Sequence, residues 1–311
     1  MTDFLLLEKI HRMIKDIPKP RMMHKKGINV KGYFRPYMSL SEYTESEIFG
    51  SVEKVTPVSI RFSSMLGDES TPDSRRNIKC MSVKFRNDEE EYDIICQSIP
   101  VYFIDDANKF IELSQAFTVN NLFDGINREA VWRFILNNPE SINCFLRLFS
   151  YKGLSDSYIY TKWFSVNSCV WINSRGVRRY VRYKWIPVTK KGHDEEHNNT
   201  RIRSEFMSGF DPEKARNELE NAIMYGDFPQ YNMIIQMAET NESEKYTLCW
   251  NDNDDIEEID AGILKITSLD NKDENFDPLS KVNGINGVAD EFMDYMAFAH
   301  KMGCAERGRH I

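Results

Sequence analysis

The sequence has no uninterrupted run of 18 or more apolar residues, so no segment is long enough to cross a bilayer as a hydrophobic helix. Its start, "MTDFLLLEKIHRMIKDIPKP", lacks the basic leader and small-residue cleavage site of a signal peptide, and we expect none. Basic residues are also fewer than acidic ones: the sequence has 40 lysines and arginines and 48 aspartates and glutamates, so the net charge is −8. That balance argues against nucleic acid or an anionic membrane surface as a partner.

The six cysteines form no CxxC pair and lie scattered along the 311 residues. We therefore expect reduced thiols in a cytoplasmic protein, with neither a disulfide framework nor a zinc site. The stretch "HDEEH" sets His193 and His197 four residues apart, but it departs from H-E-x-x-H and its surroundings are polar. A solvated loop is expected there, and also for the acidic run 251–260.

Strands dominate the predicted secondary structure. Apolar and polar residues alternate at a period of two in seven segments: 57–64, 79–85, 92–96, 166–173, 178–186, 231–237 and 262–269. Apolar residues recur at helical spacing in four others: 106–117, 127–150, 213–225 and 287–302. Runs of strands with helices inserted between them predict an α+β fold around an antiparallel sheet or barrel.

Three stretches contain candidate site residues, and each has an ordinary explanation when taken alone. The histidine in "RMMHKKG" (21–27) is typical of a packed, hydrogen-bonded core residue. Arg61, on a predicted strand, would usually lie on the surface. Gln97 and the serine after it, between two apolar runs, would fit a simple turn.

Taken together and in order, these stretches resemble the haem catalase family, especially its smaller, single-core branch. "R-x-x-H-x-K-G" is similar to the family's distal-histidine segment, and "V-x-I-R-F-S" with a later "V-K-F" to its haem-binding strands. "Y-D-I-x-x-x-x-x-P-V-Y-F-I-x-D", "G-D-F-P" and "F-D-P-L-S-x-V-N-G-I" resemble its later landmarks. The similarity runs from about residue 19 to 125 and resumes at 160–185, 224–237 and 276–285.

The resemblance implies a catalase-like antiparallel β-barrel of about eight strands, with inserted helices and a C-terminal helix beside the haem. It implies haem b, with its iron, as the cofactor. The haem-binding domain would span residues 21–311, after an N-terminal arm or helix over residues 1–20. As in the family, we expect a homo-oligomer, either a dimer or a tetramer.

The resemblance assigns the catalytic roles to three residues. His24 stands at the position of the distal histidine, which moves a proton between the two oxygens of peroxide. Ser63 matches the serine that holds the other ring nitrogen of that histidine. Gln97 falls on the catalytic asparagine, and its extra methylene would displace the amide donor or crowd the pocket. A misplacement of about 1 Å can lower a rate by roughly 100-fold.

Further positions match residues that surround the haem. Paired cations are needed to bury the two haem propionates, and Arg21, Arg61 and Arg307 match the family's propionate-binding arginines. The distal pocket differs from the family's at several positions: Phe110 keeps a flanking aromatic residue, whereas Tyr102 replaces a phenylalanine, Met23 a valine and Cys80 a glycine.

The proximal side shows the largest departure. Counting without gaps from "G-I" (284–285) places His300 at the tyrosinate that binds iron in the family, and Met296 at its partner arginine. Arg307 retains its type in this register. A neutral imidazole has no need of the cation that an anionic phenolate requires, so the two replacements agree with each other. Tyr295 cannot take the ligand position, since it lies about 140° around the helix from His300.

These departures predict a haem oxidoreductase that is not an efficient catalase. It would use peroxide or dioxygen to oxidise or rearrange a small organic substrate, as in a biosynthetic pathway. One alternative is a low-activity catalase or peroxidase that removes hydrogen peroxide. Another is a non-enzymatic haem sensor or carrier, or a structural paralogue that has lost haem, in which His300 is only a packed helix residue.

Overall fold

The computed structural model describes residue 8 and residues 24–117, 128–189, 200–239, 245–250, 256–288 and 293–294. The strands in these ranges are β1 (Gly27–Pro36), β2 (Thr56–Ser64), β3 (Lys79–Arg86), β4 (Glu91–Gln97), β5 (Trp163–Phe164), β6 (Cys169–Ile172), β7 (Arg178–Pro187), β8 (Gln230–Ala238), β9 (Glu257–Asp270) and β10 (Ile285–Gly287). The α-helices are α1 (Phe110–Ala116), α2 (Arg128–Asn137), α3 (Ile142–Phe149), α4 (Arg201–Phe210) and α5 (Lys214–Met224).

Eight of the strands close into an antiparallel barrel. Their order is β7-β5-β4-β3-β2-β1-β9-β8, and a further pairing of β8 with β7 completes the ring. β6 and β10 continue the sheet beyond β7. Register shifts at Lys31/Gly32 in β1 and at Met233/Ile234 in β8 act as bulges that help the sheet to curve. The predicted α+β fold with an eight-stranded antiparallel barrel is confirmed.

The barrel interior is filled by its own side chains. Val58, Ile60 and Phe62 of β2 point inward with the same alternation that the sequence shows. The rings of Phe34 and Phe85 meet edge to face at 5.4 Å between centroids, within a core that is almost entirely apolar. An eight-stranded barrel is just wide enough for such a core. A large ligand must therefore bind outside it.

A second apolar core covers part of the outer face of the barrel. It is built from the loop after β4 and from α1, α2 and α3, and its centre is a group of phenylalanine rings. Phe103 contacts Phe117 and Phe145 at 5.2 and 5.0 Å between centroids. Any pocket on that face lies between the barrel and the second apolar core.

Most predicted elements in the described ranges appear within a few residues of their expected bounds, and the differences have local causes. β9 begins at Glu257, inside the run 251–260 that was expected to be a loop. The helix predicted over 287–302 lies largely outside the described residues. The helix predicted over 127–150 is interrupted at Asn138 and Pro139, because proline cannot donate the backbone hydrogen bond of a continuing helix. β1, β5, β10 and α4 were not predicted. β1 contains two glycines and ends in proline, which are residues depleted in strands, and β5 is only two residues long.

No helix in the described ranges is long and apolar enough to span a membrane. The same residues hold no cluster of three or more His, Cys, Asp or Glu side chains suited to a metal ion. The "HDEEH" stretch lies outside the described residues.

Candidate active site

The predicted catalytic residues meet in one row across the outer face of the barrel. Strand register pairs Gly27 with Ser63, Ser63 with Cys80, Cys80 with Gln97, and Gln97 with Phe164. Each residue is directly opposite its neighbour, so the side chains project from the same side of the sheet. Residues distant in sequence are thus brought together by the alternation of four strands.

His24 precedes this row at the start of β1 and bends over it. Its Nδ1 lies 3.2 Å from the hydroxyl of Ser63, and its backbone N–H donates to the carbonyl of Met65 at 3.2 Å. Its φ of 58° is the only positive φ of a non-glycine residue among those described. The left-handed conformation costs about 1–2 kcal/mol for an L-residue, and such strain is concentrated at functional sites.

Arg61 stabilises that strained backbone. It is buried, and its Nη2 donates to the carbonyl oxygen of His24 at 3.1 Å. Its Nε donates to Asp273 at 3.3 Å. Gly27 is required beneath it, because a Cβ there would lie 2.4 Å from Nη1 of the arginine. The guanidinium thus fixes the backbone of His24 and carries positive charge to the outer face.

The side-chain amide of Gln97 is hydrogen-bonded to the backbone of the loop that follows it. Its Nε2 donates to the carbonyl oxygens of Ile99 at 3.0 Å and Val101 at 2.6 Å, and the residue is buried. Carbonyl oxygens accept only, so the nitrogen must face them and both amide hydrogens are used. The amide therefore closes the turn that leads to the second apolar core.

A partly uncovered patch lies beside the row of predicted catalytic residues. Arg61 pairs with Ser82, and Ser82 with Ile95, two residues further along the same outer face. Ser82 and Ile95 are partly exposed, whereas Ser63, Cys80 and Gln97 in the adjacent row are buried. Small and apolar side chains next to a buried arginine have the chemistry to contact a flat, apolar group with carboxylate arms. The described residues are therefore compatible with haem.

Beyond the patch, an ion pair between Lys84 and Asp93 holds the segment around Asp277 against the barrel. Lys84 Nζ lies 2.9 Å from Asp93 Oδ2, which also accepts a hydrogen bond from the backbone N–H of Asp277 at 2.7 Å. Burial raises the pKa of the Asp93 carboxyl to about 6, against the opposing effects of the Asp277 N–H and of Lys84. The lysine in turn contacts Glu91 at 2.7 Å.

The second core supplies the other wall of the site. Phe110, at the start of α1, is buried in it together with Met65 and Cys80, and Tyr102 packs against it. The backbone N–H of Tyr102 donates to the carbonyl of Tyr246 at 2.6 Å. Burial raises the pKa of the Cys80 thiol to about 12, so this group next to Ser63 and Gln97 stays protonated and unreactive.

The structure brings together His24, Ser63, Arg61 and Gln97 and places Phe110 and Tyr102 in the adjoining core. The other predicted site residues lie outside the described ranges: Arg21, Met23, Met296, His300 and Arg307. Sequence reasoning missed Gly27 and Asp273, which position Arg61. Asp273 lies in the polar run "DNKDEN", where nothing distinguishes it from its charged neighbours.

Known proteins share this architecture. The family model described as Catalase matches residues 1–276. A catalase from Latilactobacillus sakei is 27% identical over 316 residues, covering 97% of this chain and 64% of that protein. Catalase-2 from Bacillus subtilis (strain 168) is 30% identical over 250 residues, covering 79% of this chain and 36% of that protein.

A crystal structure of a fungal catalase superposes with a TM-score of 0.83 at 22% identity, covering 98% of this chain and 63% of that one. The chain thus spans less than two thirds of the length of each of these relatives. The match to the family model covers the barrel, the histidine segment and the loop after β4. This chain belongs to the catalase family.

Proposed function

We propose that the protein is a haem b oxidoreductase that uses peroxide or dioxygen to oxidise or rearrange a small organic substrate. Family membership supports the cofactor, and so does the partly uncovered patch beside Arg61 on the outer face of the barrel. When bound, the haem iron supplies the redox chemistry. The steps below concern only what the chain's own side chains do.

His24 is the proton-transfer residue in this proposal. Its Nδ1 lies 3.2 Å from the hydroxyl of Ser63, which holds the ring in one orientation and leaves Nε2 to exchange the proton. Imidazole titrates near neutral pH, where a group that must both accept and return a proton works best. The hydrogen bond from Arg61 to the His24 carbonyl keeps the backbone, and hence the ring, in position.

One observation supports the proposal that the protein is not an efficient catalase: both amide hydrogens of Gln97 donate to backbone carbonyls. The family's asparagine has to offer its amide to peroxide. Releasing the amide of Gln97 would break two buried hydrogen bonds at about 1 kcal/mol each, which is roughly a 30-fold penalty. We infer that peroxide dismutation is poorly supported, whereas oxidation of an organic substrate does not need that donor.

For the proximal side we propose His300 as the iron ligand. Met296 replaces the arginine that a tyrosinate would require, and the two replacements are consistent with each other. Arg21 and Arg307 would join Arg61 in binding the propionates, and Met23 would line the distal side. This part of the proposal rests on sequence register.

The cysteines bear on the cellular setting. The five cysteines in the described ranges are free thiols, which supports a reducing compartment such as the cytoplasm. A biosynthetic role suits an oxidant-dependent enzyme that acts on a small metabolite. Assembly into a homo-oligomer is proposed by analogy with the family.

The ligand is tested by the absorption spectra of haem-loaded variants. His300→Ala should lose haem or shift the Soret band strongly, and the matched change Tyr295→Phe should leave the spectrum almost unaltered. If Tyr295→Phe abolishes the native spectrum while His300→Ala keeps it, the register is wrong.

The activity is tested by adding hydrogen peroxide to the haem-loaded protein with and without a panel of organic hydroperoxides and phenols. We expect substrate conversion with little oxygen release. Rapid oxygen release would instead indicate a catalase, and a stable haem spectrum without any turnover would indicate a sensor or carrier. A protein that takes up no haem would be a structural paralogue.

A further inference from the structure

The surface helix α4 is oriented opposite to an ordinary amphipathic helix, with a polar side toward the protein and an apolar side toward solvent. Its inner side is polar: the hydroxyl of Ser204 donates to the carbonyl of Ser74 at 2.5 Å, and the hydroxyl of Ser74 donates back to the carbonyl of Ser204 at 3.2 Å. Ser208 adds a third contact, 3.0 Å from the Ser74 hydroxyl. Serines thus fasten the helix to the body of the protein, where apolar residues usually do so.

Three of the four apolar residues of α4 point outward, and only Met207 is partly buried. Ile202, Phe206 and Phe210 are 81%, 63% and 74% exposed. They recur every four residues, so they form one stripe along the helix, and the rings of Phe206 and Phe210 stack at 5.4 Å between centroids. Exposed contiguous apolar surface of this kind marks an interaction site.

The charges at the two ends of α4 are also reversed from what the helix itself prefers. Arg201 and Arg203 lie in the first turn, which contains no acidic residue, and Asp211 lies at the C-cap. Arg203 pairs with Asp156 at 3.4 Å, and Arg201 forms a highly exposed pair with Glu205 at 2.7 Å, which contributes little. The helix dipole favours acidic groups at the N-terminus and basic groups at the C-terminus. An oppositely directed neighbouring helix with the same sequence would satisfy both ends.

We propose that α4 packs antiparallel against α4 of a second copy of this chain, about a two-fold axis that passes near Phe206. Two-fold symmetry places each residue opposite its counterpart across the axis. Phe206 then meets Phe206 of the second copy, and Ile202 meets Phe210 of the second copy. Asp211 of one copy approaches Arg201 of the other, which neutralises both ends of the paired helices.

The area available matches what a stable dimer needs. The three stripe residues expose roughly 400 Å² of apolar surface per copy, taking 150–250 Å² for a fully exposed large side chain. A standard interface buries about 800 Å² per partner, of which about 57% is apolar. An anionic lipid surface fits less well, because the protein carries a net charge of −8 and α4 is flanked by Asp211 and Glu213.

The first test measures the solution mass of the full chain by light scattering or sedimentation. Wild type should have at least twice the 36.5 kDa chain mass, and Phe206→Glu should halve the observed mass. Leu136→Glu is the matched control, since Leu136 is 79% exposed and lies on a different helix, α2. A monomeric wild type, an unchanged mass for Phe206→Glu, or equal dissociation of the control would overturn the proposal.

The second test does not depend on dissociation and checks the two-fold geometry. Under mild oxidation, Phe206→Cys should form a disulfide-linked dimer readily, with wild type as the background for the native thiols. Phe210→Cys should cross-link at least tenfold less, because antiparallel packing separates the two copies of residue 210 by about 12 Å along the helix. Equal cross-linking of both variants would indicate a parallel or random encounter, and binding of a monomeric protein to vesicles through Phe206 would indicate a lipid partner. Either result refutes the proposal.

Discussion

Replacing Gln97 tests whether its side-chain amide has a structural role or a catalytic one. Gln97→Met keeps the length and apolar stem of the side chain but removes its two hydrogen bonds to the carbonyls of Ile99 and Val101. Each bond contributes about 1 kcal/mol, so the variant should lose about 2 kcal/mol of unfolding free energy. At roughly 2 °C per kcal/mol for a chain of this size, its Tm should fall by about 4 °C.

Gln97→Glu should be worse than Gln97→Met. A carboxylate cannot donate, and in this buried position it would face two carbonyl oxygens. The matched control is Gln115→Glu on the exposed side of α1, which should leave the Tm unchanged. Melting curves followed by circular dichroism, with urea titrations for the free energies, measure the whole series.

Peroxide consumption by the haem-loaded Gln97→Met variant gives the second readout. Removing a hydrogen-bond donor that acts on the reacting atoms typically lowers a rate by about 100- to 1,000-fold. Because the amide is bound to its own loop, we expect a decrease of less than tenfold. A Tm within 1 °C of wild type together with a 100-fold slower reaction would show that the amide serves peroxide and that the reasoning is wrong.

Three further predictions follow from the same face of the barrel. His24→Gly should be more stable than His24→Ala by about 1 kcal/mol in urea unfolding, because only glycine adopts the φ of 58° without strain. Ser63→Ala should slow peroxide consumption of the haem-loaded protein about fivefold, corresponding to one lost hydrogen bond of about 1 kcal/mol, and Ser59→Ala should not. The pKa of Asp93 is raised to about 6 in the folded protein, so between about pH 4 and 6 the native state binds the extra proton. The free energy that protonation of the Asp93 carboxyl adds to the folded state is therefore fully present below about pH 4. It is lost as the pH rises through about 6. Asp93→Asn should flatten that part of the stability curve measured by urea midpoints, and an unchanged slope would contradict the assignment.

Six of the eight barrel strands were predictable because the strands of a filled barrel must alternate. Val58, Ile60 and Phe62 show the period of two directly, and the same period places Arg61 and Ser63 on the opposite face. Ser63 was predicted as the partner of His24 from the family resemblance, and the structure brings the two into contact. The hydrogen bond from Arg61 to the His24 carbonyl was not predicted. The proline at position 139 could have predicted the break in the helix that was expected over 127–150.

The use of the Gln97 amide was not predictable in the same way. The sequence showed a glutamine at the asparagine position and suggested a displaced donor. Only the turn after β4 shows that the amide hydrogens are bound to Ile99 and Val101, because that depends on how the backbone folds back on the side chain. Asp273 as the partner of Arg61 was equally hidden, since the two are 212 residues apart.

By itself, the sequence determined the family, the strand faces and the candidate chemistry, since these depend on residue type, spacing and order. The tertiary structure decided which polar groups are already occupied and which apolar groups stay exposed. Ile202, Phe206 and Phe210 form a stripe that would normally be assigned to the core, yet in the structure they face outward because Ser204 and Ser208 bind Ser74. Periodicity identifies a face, but only the packing of distant segments determines what that face meets.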